Sequence, residues 1–334
     1  MVNNNLNNKP ILVVGLPRSG TTWQFNILSQ AKEVLPIFEP DNRPINPYSY
    51  YYLGSNHRFP INEGNNETNM LAFWNKIFEG GWKEGFTFKL LKYIYLSNIK
   101  VIENQIYEYS NFIIPPNKYI NYFPKDQYVE FLTDKIVIGT VAKLIGSRKN
   151  ESRVLIKSVH AVRQLEWLKN NFNPHFVIIV RKLCNMIASF LRLRLADALR
   201  GIDASPFYKN EVNNYYNKAK DDEIKIFHKI VIQACELTNQ LLNFNNKYSD
   251  TILIKHEEAC LNPNQHYMNL YKMLNLKWNK PVENFIKNEN KEGSAFKPQR
   301  LAKDEQIRYK DQLSKEYLEI ISNYANIYDL AEYY

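Results

Sequence analysis

The stretch Ile11-Leu12-Val13-Val14, followed by Gly15-Leu16-Pro17-Arg18-Ser19-Gly20-Thr21-Thr22, constrains this chain more than any other. Four consecutive apolar residues suit a strand buried on both faces of a parallel sheet. Trp23, Ile27 and Leu28 then fall on one side of a helical wheel, so a helix is predicted to begin near Thr21. A strand, a glycine-bounded loop and a helix start turn successive backbone N–H groups toward one point. With the positive end of the helix dipole behind them, those donors make a seat for phosphate. The spacing Gly15-x4-Gly20 matches a P-loop, except that Thr21 stands where the loop lysine belongs and the cation, Arg18, lies inside the loop. The bland alternative is a glycine turn that binds nothing.

The rest of the chain can be read around this unit. Val34 to Phe38 predicts a second strand that stops at Pro40, which puts Glu39 at the carboxyl edge of the sheet, where open α/β folds bind ligands. Prolines, asparagines and tyrosines between 42 and 66 predict a loop-rich insertion. Residues 67–110 read mainly as helix, with Leu71, Trp74, Ile77 and Phe78 as its stripe; Pro115-Pro116 breaks the chain, and 126–146 is helical again. Regular alternation resumes at Arg153. Strands are predicted at 154–156, 176–180 and 251–254, and helices at 162–172, from an Asn185 cap to a Gly201 stop, at 222–243, from Pro263 onward, and at 314–328. The expected fold is three-layer α/β/α with a central parallel sheet. It forms a single domain over 1–334, with an aromatic-rich insertion or lid at about 42–150.

A formal charge of +9 and a pI near 9.1 suit polyanionic ligands. The basic residues are dispersed and match no nucleic-acid module, so nucleic acid is not expected as a partner. The polar start, Met1 to Pro10, lacks an apolar signal core, and no apolar run reaches membrane-spanning length. Cys184, Cys235 and Cys260 have no metal-like spacing, which predicts reduced thiols in a cytoplasmic protein.

The run Pro17-Arg18-Ser19-Gly20-Thr21-Thr22 resembles the 5'-phosphosulfate loop of sulfotransferases that use 3'-phosphoadenosine 5'-phosphosulfate (PAPS). Further segments resemble the same family in the same order, over about 10–40 and 153–330. Arg181, at the end of a strand, and Ser189, in the helix that follows, resemble the family's Arg…Ser pair for the cofactor's 3'-phosphate, although Lys182-Leu183 stands where Asp-Pro is common. Val154 to His160 resembles a family strand ending in Lys and followed by His, and Leu253 to Ala259 resembles its Tyr-Glu-Asp-Leu strand end, with His256 in place of Tyr. Gly293, Lys297 and Arg300 stand where a C-terminal loop contributes to the 3'-phosphate site, without the Arg-Lys-Gly pattern of the cytosolic enzymes.

The resemblance implies a P-loop-like sulfotransferase fold of bacterial type, with PAPS as donor, 3',5'-ADP as product and no metal. The acceptor implied is a hydroxyl or amine of a small molecule or glycan. Arg18 and the loop amides would meet the charge that grows on the leaving phosphate. Two residues compete as base. Glu39, in a Phe-Glu-Pro setting, resembles the glutamate of bacterial carbohydrate sulfotransferases and is favoured slightly; His160 resembles the histidine of the cytosolic enzymes, at a spacing from Lys157 one residue longer. Lys157 is a candidate contact to the bridging oxygen or the acceptor. Two alternatives stand beside this reading: a P-loop kinase or NTPase, which needs magnesium and a loop lysine, and an inactive protein that only binds 3',5'-ADP. Each residue also has a purely structural reading, Arg181 as an ion-pair partner and His160 as a helix start among them.

Overall fold

The computed structural model describes residues 9–41, 49, 67–80, 153–192, 222–289 and 309–334. The chain divides into two compact units, Met1–Pro36 with Ser152–Tyr334, and Ile37–Glu151. The first unit opens with β1 (Ile11–Gly15), α1 (Thr21–Leu28) and β2 (Val34–Phe38), whose last two residues fall in the second unit. After the second unit's helix α2 (Glu67–Phe78), the first unit resumes with β3 (Arg153–Ser158), a 3-10 turn (Ala161–Gln164) and α3 (Leu165–Phe172). It continues through β4 (His175–Val180), α4 (Leu183–Arg192), α5 (Asp222–Lys247), β5 (Ile252–Lys255) and α6 (His256–Leu261). The last described elements are α7 (Pro263–Met273), α8 (Lys280–Glu289), α9 (Lys315–Ile327) and a terminal 3-10 turn (Ala331–Tyr333).

The five strands lie in the order β2-β3-β1-β4-β5, so β1 is central. It pairs in parallel with β3 (Val13 beside Lys157) and with β4 (Gly15 beside Ile179), and β4 pairs in parallel with β5. Parallel neighbours need both faces covered, and helices cover both. Ile11, Val13, Leu155, Val177, Ile179 and Ile254 project into one core with Trp23, Phe25, Ile27 and Leu28 of α1 and with Tyr267, Leu270 and Tyr271 of α7. On the other face Phe176 of β4 meets Phe244 of α5 edge-on, ring centroids 4.9 Å apart. The expected three-layer α/β/α architecture is the observed one. All four aliphatic residues of β1 are fully buried, each contributing roughly 1.5–3 kcal/mol of transfer free energy.

Several local expectations shift. The stripe of α2 is turned by about one residue: Met70, Phe73, Trp74 and Ile77 are buried, whereas Leu71 and Phe78 are half-buried. The α4 helix begins at Leu183, so Asn185 sits inside its first turn rather than capping it. Two short helices, α6 and α8, go beyond the sequence reading, the first because its residues read as the tail of β5. The last helix, expected over 314–328, spans Lys315–Ile327, and Ser314 caps it, its hydroxyl accepting from the Tyr317 N–H at 3.2 Å. The predicted helix at 126–146 and the Gly201 stop lie outside the described residues, as does most of the 42–150 insertion. No described helix is long and apolar enough to cross a membrane. Cys184, Cys235 and Cys260 are buried free thiols.

Candidate anion-binding site

The loop between β1 and α1 closes on itself before the helix begins. The Ser19 hydroxyl and backbone N–H both donate to the Leu16 carbonyl, at 2.7 and 3.1 Å. Gly20 then takes φ +93°, a left-handed conformation open to glycine, and its carbonyl accepts the first helical bonds from Trp23 and Gln24 at 3.0 and 3.3 Å. The amides of Thr21 and Thr22 open α1, where no helical carbonyl precedes them as acceptor. Both glycines are required by space. A Cβ on Gly15 would lie 2.5 Å from the Ile179 carbonyl oxygen on β4, and one on Gly20 would lie 2.5 Å from His256 Cε1.

Strand register brings the distant site residues together. Gly15 ends β1 beside Ile179 of β4, so Arg18, three residues on, meets Arg181, two residues on. Arg181 Nη1 donates to the Arg18 carbonyl at 2.8 Å, and Arg18 Nε donates to Ser189 Oγ at 3.0 Å. Ser189 thus touches the loop arginine. Arg18, Arg181 and Ser189 line an open pocket together with Asn185, Ala188, Arg192, Tyr309 and Gln312. Three guanidinium groups and a serine hydroxyl make a concave, donor-rich surface suited to an anion.

Behind the pocket lies Glu257, in the first turn of α6 and buried. Its carboxylate accepts from the Lys182 N–H at 3.2 and 3.3 Å and from Asn185 Nδ2 at 2.9 Å, and lies 3.8 Å from Arg181 Nε. His256, one residue earlier, is buried over the loop. Its ring meets Trp23 edge-on at 5.9 Å, and its Nε2 lies 3.7 Å from Cys260 Sγ.

The remaining candidates occupy other positions. Lys157 is buried near the carboxyl end of β3, on the face it shares with Leu155. His160 is half-buried and precedes the 3-10 turn, its N–H held by Ser158 Oγ at 3.0 Å. Glu39 belongs to the second unit, where it follows β2, is buried and has φ +40°. Gly293, Lys297 and Arg300 lie outside the described residues.

Sequence reasoning missed Arg192, Glu257, Tyr309 and Gln312. Arg192 carried a usable signal: it lies one helical turn beyond Ser189, at the i+3 position that shares a face. Tyr309 and Gln312 carried none, because only tertiary packing brings that segment to α4.

No known family model matches this sequence, and no curated protein matches it significantly. Among solved structures, the sulfotransferase domain from the curacin biosynthetic pathway is 12% identical, with 94% of this chain and 96% of that one covered and a TM-score of 0.46. Sulfotransferase STF9 from Mycobacterium avium is 13% identical over 97% of this chain and 77% of that one, with a TM-score of 0.44. The sulfotransferase domain of the Synechococcus PCC 7002 olefin synthase is 11% identical over 95% and 94% of the two chains, with a TM-score of 0.42. At this level of likeness, functional assignment rests on the residues of the site.

Proposed function

We propose that this protein is a sulfotransferase that moves a sulfuryl group from PAPS to a hydroxyl or amine of a small-molecule or carbohydrate acceptor. The observation that carries the reading is the pocket where Arg18 of the β1–α1 loop is bonded to Ser189 and Arg181 is bonded back to the loop. A donor bearing phosphate at both the 5' and 3' positions needs two anion sites close together, and the loop and the arginine pocket supply two. The glycine at position 20 lets the buried His256 ring pack directly against the loop, because a side chain there would overlap it. The donor fits this arrangement. Pro17 to Thr22 would hold its 5'-phosphosulfate, and Arg181, Ser189 and Arg192 its 3'-phosphate, with Gly293, Lys297 and Arg300 assigned to the same end from the sequence. Bound there, PAPS supplies the sulfuryl group and leaves as 3',5'-ADP.

The chain's own groups take the remaining roles. Arg18 and the helix-start amides stabilise negative charge on the leaving phosphate. Lys157 adds a second cation toward the bridging oxygen or the acceptor. His256 holds the loop's shape through its packing on Gly20. Glu39 is assigned as the base that takes the acceptor proton, with His160 as its rival. Comparing Glu39→Gln with His160→Gln in turnover assays separates the two, since only loss of the base removes kcat while leaving 3',5'-ADP binding intact.

The binding step is tested by thermal shift with 3',5'-ADP, 5'-AMP and ATP–Mg. A ligand at a hundred times its Kd stabilises the native state by about 2.7 kcal/mol. The reading expects a clear rise in midpoint with 3',5'-ADP, a weaker one with 5'-AMP, and loss of the difference in Arg181→Ala. A rise with ATP–Mg alone would overturn it in favour of a kinase or NTPase. Binding of 3',5'-ADP without turnover of any acceptor would mark an inactive nucleotide-binding protein.

A further inference from the structure

We infer that Tyr309 is a further ligand of the anion in this pocket: its hydroxyl donates to the 3'-phosphate and so helps set the preference for a nucleotide that carries one. The inference rests on the donor reading above.

The described lining of the pocket comes from three places. Arg18 and Arg181 follow β1 and β4, and Asn185, Ser189 and Arg192 share one face of α4 at the i, i+4 and i+7 positions. Tyr309 and Gln312 belong to the turn that precedes α9. The first two places supply the cations and the third supplies neutral groups; no carboxylate is among the described lining residues.

A phosphate monoester presents three strong acceptor oxygens, which leaves room for neutral donors beside the guanidinium forks. Two hydroxyls line the pocket. Ser189 Oγ accepts from Arg18 Nε at 3.0 Å, so its own proton is directed away from that bond. Among the described residues no hydrogen bond engages the Tyr309 hydroxyl. Tyr309 is half-buried, whereas Gln312 is exposed, and a bond to an anion is stronger where water is partly excluded.

The turn holds Tyr309 before any ligand arrives. The Tyr309 carbonyl accepts from the Gln312 and Leu313 N–H groups at 2.9 and 3.1 Å, and Leu313 is buried. Ser314 then caps α9, which docks on α5. There the Tyr317 ring stacks on Phe227 with centroids 3.9 Å apart, and the Tyr324 hydroxyl lies 2.6 Å from His228 Nδ1. Ile321, Tyr324 and Ala325 of α9 are fully buried. A packed helix therefore anchors the backbone that carries Tyr309, and a tyrosine has only two side-chain torsions to order. A donor organised in advance gives up little freedom when the anion binds.

The test measures Kd for 3',5'-ADP and 5'-AMP by isothermal titration in wild type, Tyr309→Phe, Tyr309→Ala, Arg181→Ala and the double variant Arg181→Ala with Tyr309→Phe. Tyr309→Phe keeps the ring and removes only the hydroxyl, so it separates a hydrogen bond from stacking on the nucleotide base. It should lower the preference for 3',5'-ADP over 5'-AMP by about tenfold, the scale of one hydrogen bond to a charged group. Kd for 5'-AMP should change little. Tyr309→Ala should lose at least as much preference, and in Arg181→Ala, where the preference is already gone, adding Tyr309→Phe should cost nothing more. The ligand-free midpoint checks folding, and Tyr309→Phe carries the test if Tyr309→Ala does not fold. An unchanged preference in Tyr309→Phe overturns the inference, and a wild type that prefers 3',5'-ADP leaves the donor reading standing. Equal weakening of both nucleotides also overturns it, because that places Tyr309 on a part the two share. A wild type that does not distinguish them overturns the donor reading itself, and the inference with it.

Discussion

Gly20→Ala is the sharpest single perturbation of the loop. Two costs follow from the structure. The residue sits at φ +93°, and holding an L-residue in the left-handed region costs about 1–2 kcal/mol. The added methyl would also lie 2.5 Å from His256 Cε1 and overlap Nδ1, well inside contact distance. The imidazole cannot swing away cheaply, because it is buried with the Trp23 edge at 5.9 Å and Cys260 Sγ at 3.7 Å. Overpacking of that kind costs about 1–3 kcal/mol, so the substitution should destabilise the fold by roughly 2–5 kcal/mol. Urea unfolding reads the loss as a lowered midpoint at constant slope. The two costs separate in a double-mutant cycle with His256→Ala, which removes the ring but leaves the backbone conformation. Gly20→Ala in that background should cost only the conformational part, which gives a favourable coupling of about 1–3 kcal/mol. A Gly20→Ala variant within about 0.5 kcal/mol of wild type, the range of an ordinary surface change, would refute the reasoning. A coupling of zero would show that the overlap with His256 is not what the glycine avoids.

Other outcomes follow from the same structure. Ser189→Ala removes the acceptor for Arg18 Nε and should weaken 3',5'-ADP by about five- to a hundredfold, measured by titration calorimetry; an unchanged Kd would mean the 3.0 Å bond does not orient Arg18. The three cysteines are buried, and burial pushes the Cys184 thiol up to about 12 and the Cys235 thiol higher still. In a thiol-reagent assay near pH 8 the native protein should therefore react very slowly and the urea-unfolded protein at all three positions; fast native labelling would contradict the packing. Burial also lowers the pKa of His228, whose Nδ1 lies 2.6 Å from the Tyr324 hydroxyl, and of His266, where nearby Glu258 opposes the effect. A base depressed in the folded state binds more protons when unfolded, so its stability contribution is complete above the unfolded value of about 6.5 and is lost as pH falls toward the folded value. The urea midpoint should drop between pH 7.5 and 5.5, and drop less in His228→Gln; an equal drop would assign the pH dependence to other groups.

The β1–loop–α1 unit was readable from the residues between Ile11 and Leu28 because every constraint on it is local: an apolar run, two glycines at fixed spacing and a helical stripe. The same holds for β4, where residue type and period specify the element. Reading weakened where one segment can serve two elements. His256-Glu257-Glu258 follows an apolar strand with no breaker between, so the sequence offers no boundary, and the structure starts α6 at His256 itself. The stripe of α2 was misjudged by one residue because Leu71 and Phe78 are as apolar as the Met70 and Phe73 that the structure buries, and only the packing partner decides which face turns inward.

By itself, then, the sequence determined the parallel α/β class and the strand–loop–helix order of the opening unit, and it singled out Arg18, Arg181 and Ser189 as candidates. Tertiary structure alone decided how those residues are wired. Arg18 bonds Ser189 across 171 positions because β1 lies beside β4 in a register that puts Gly15 against Ile179. Glu257 reaches the start of α4 across 75 positions because β5 lies beside β4 on its other side. Residue type and spacing report what a short segment can do alone. Strand order and register decide which ends meet, and they arise from burying all the apolar faces at once, a property of the whole sheet that no local pattern carries.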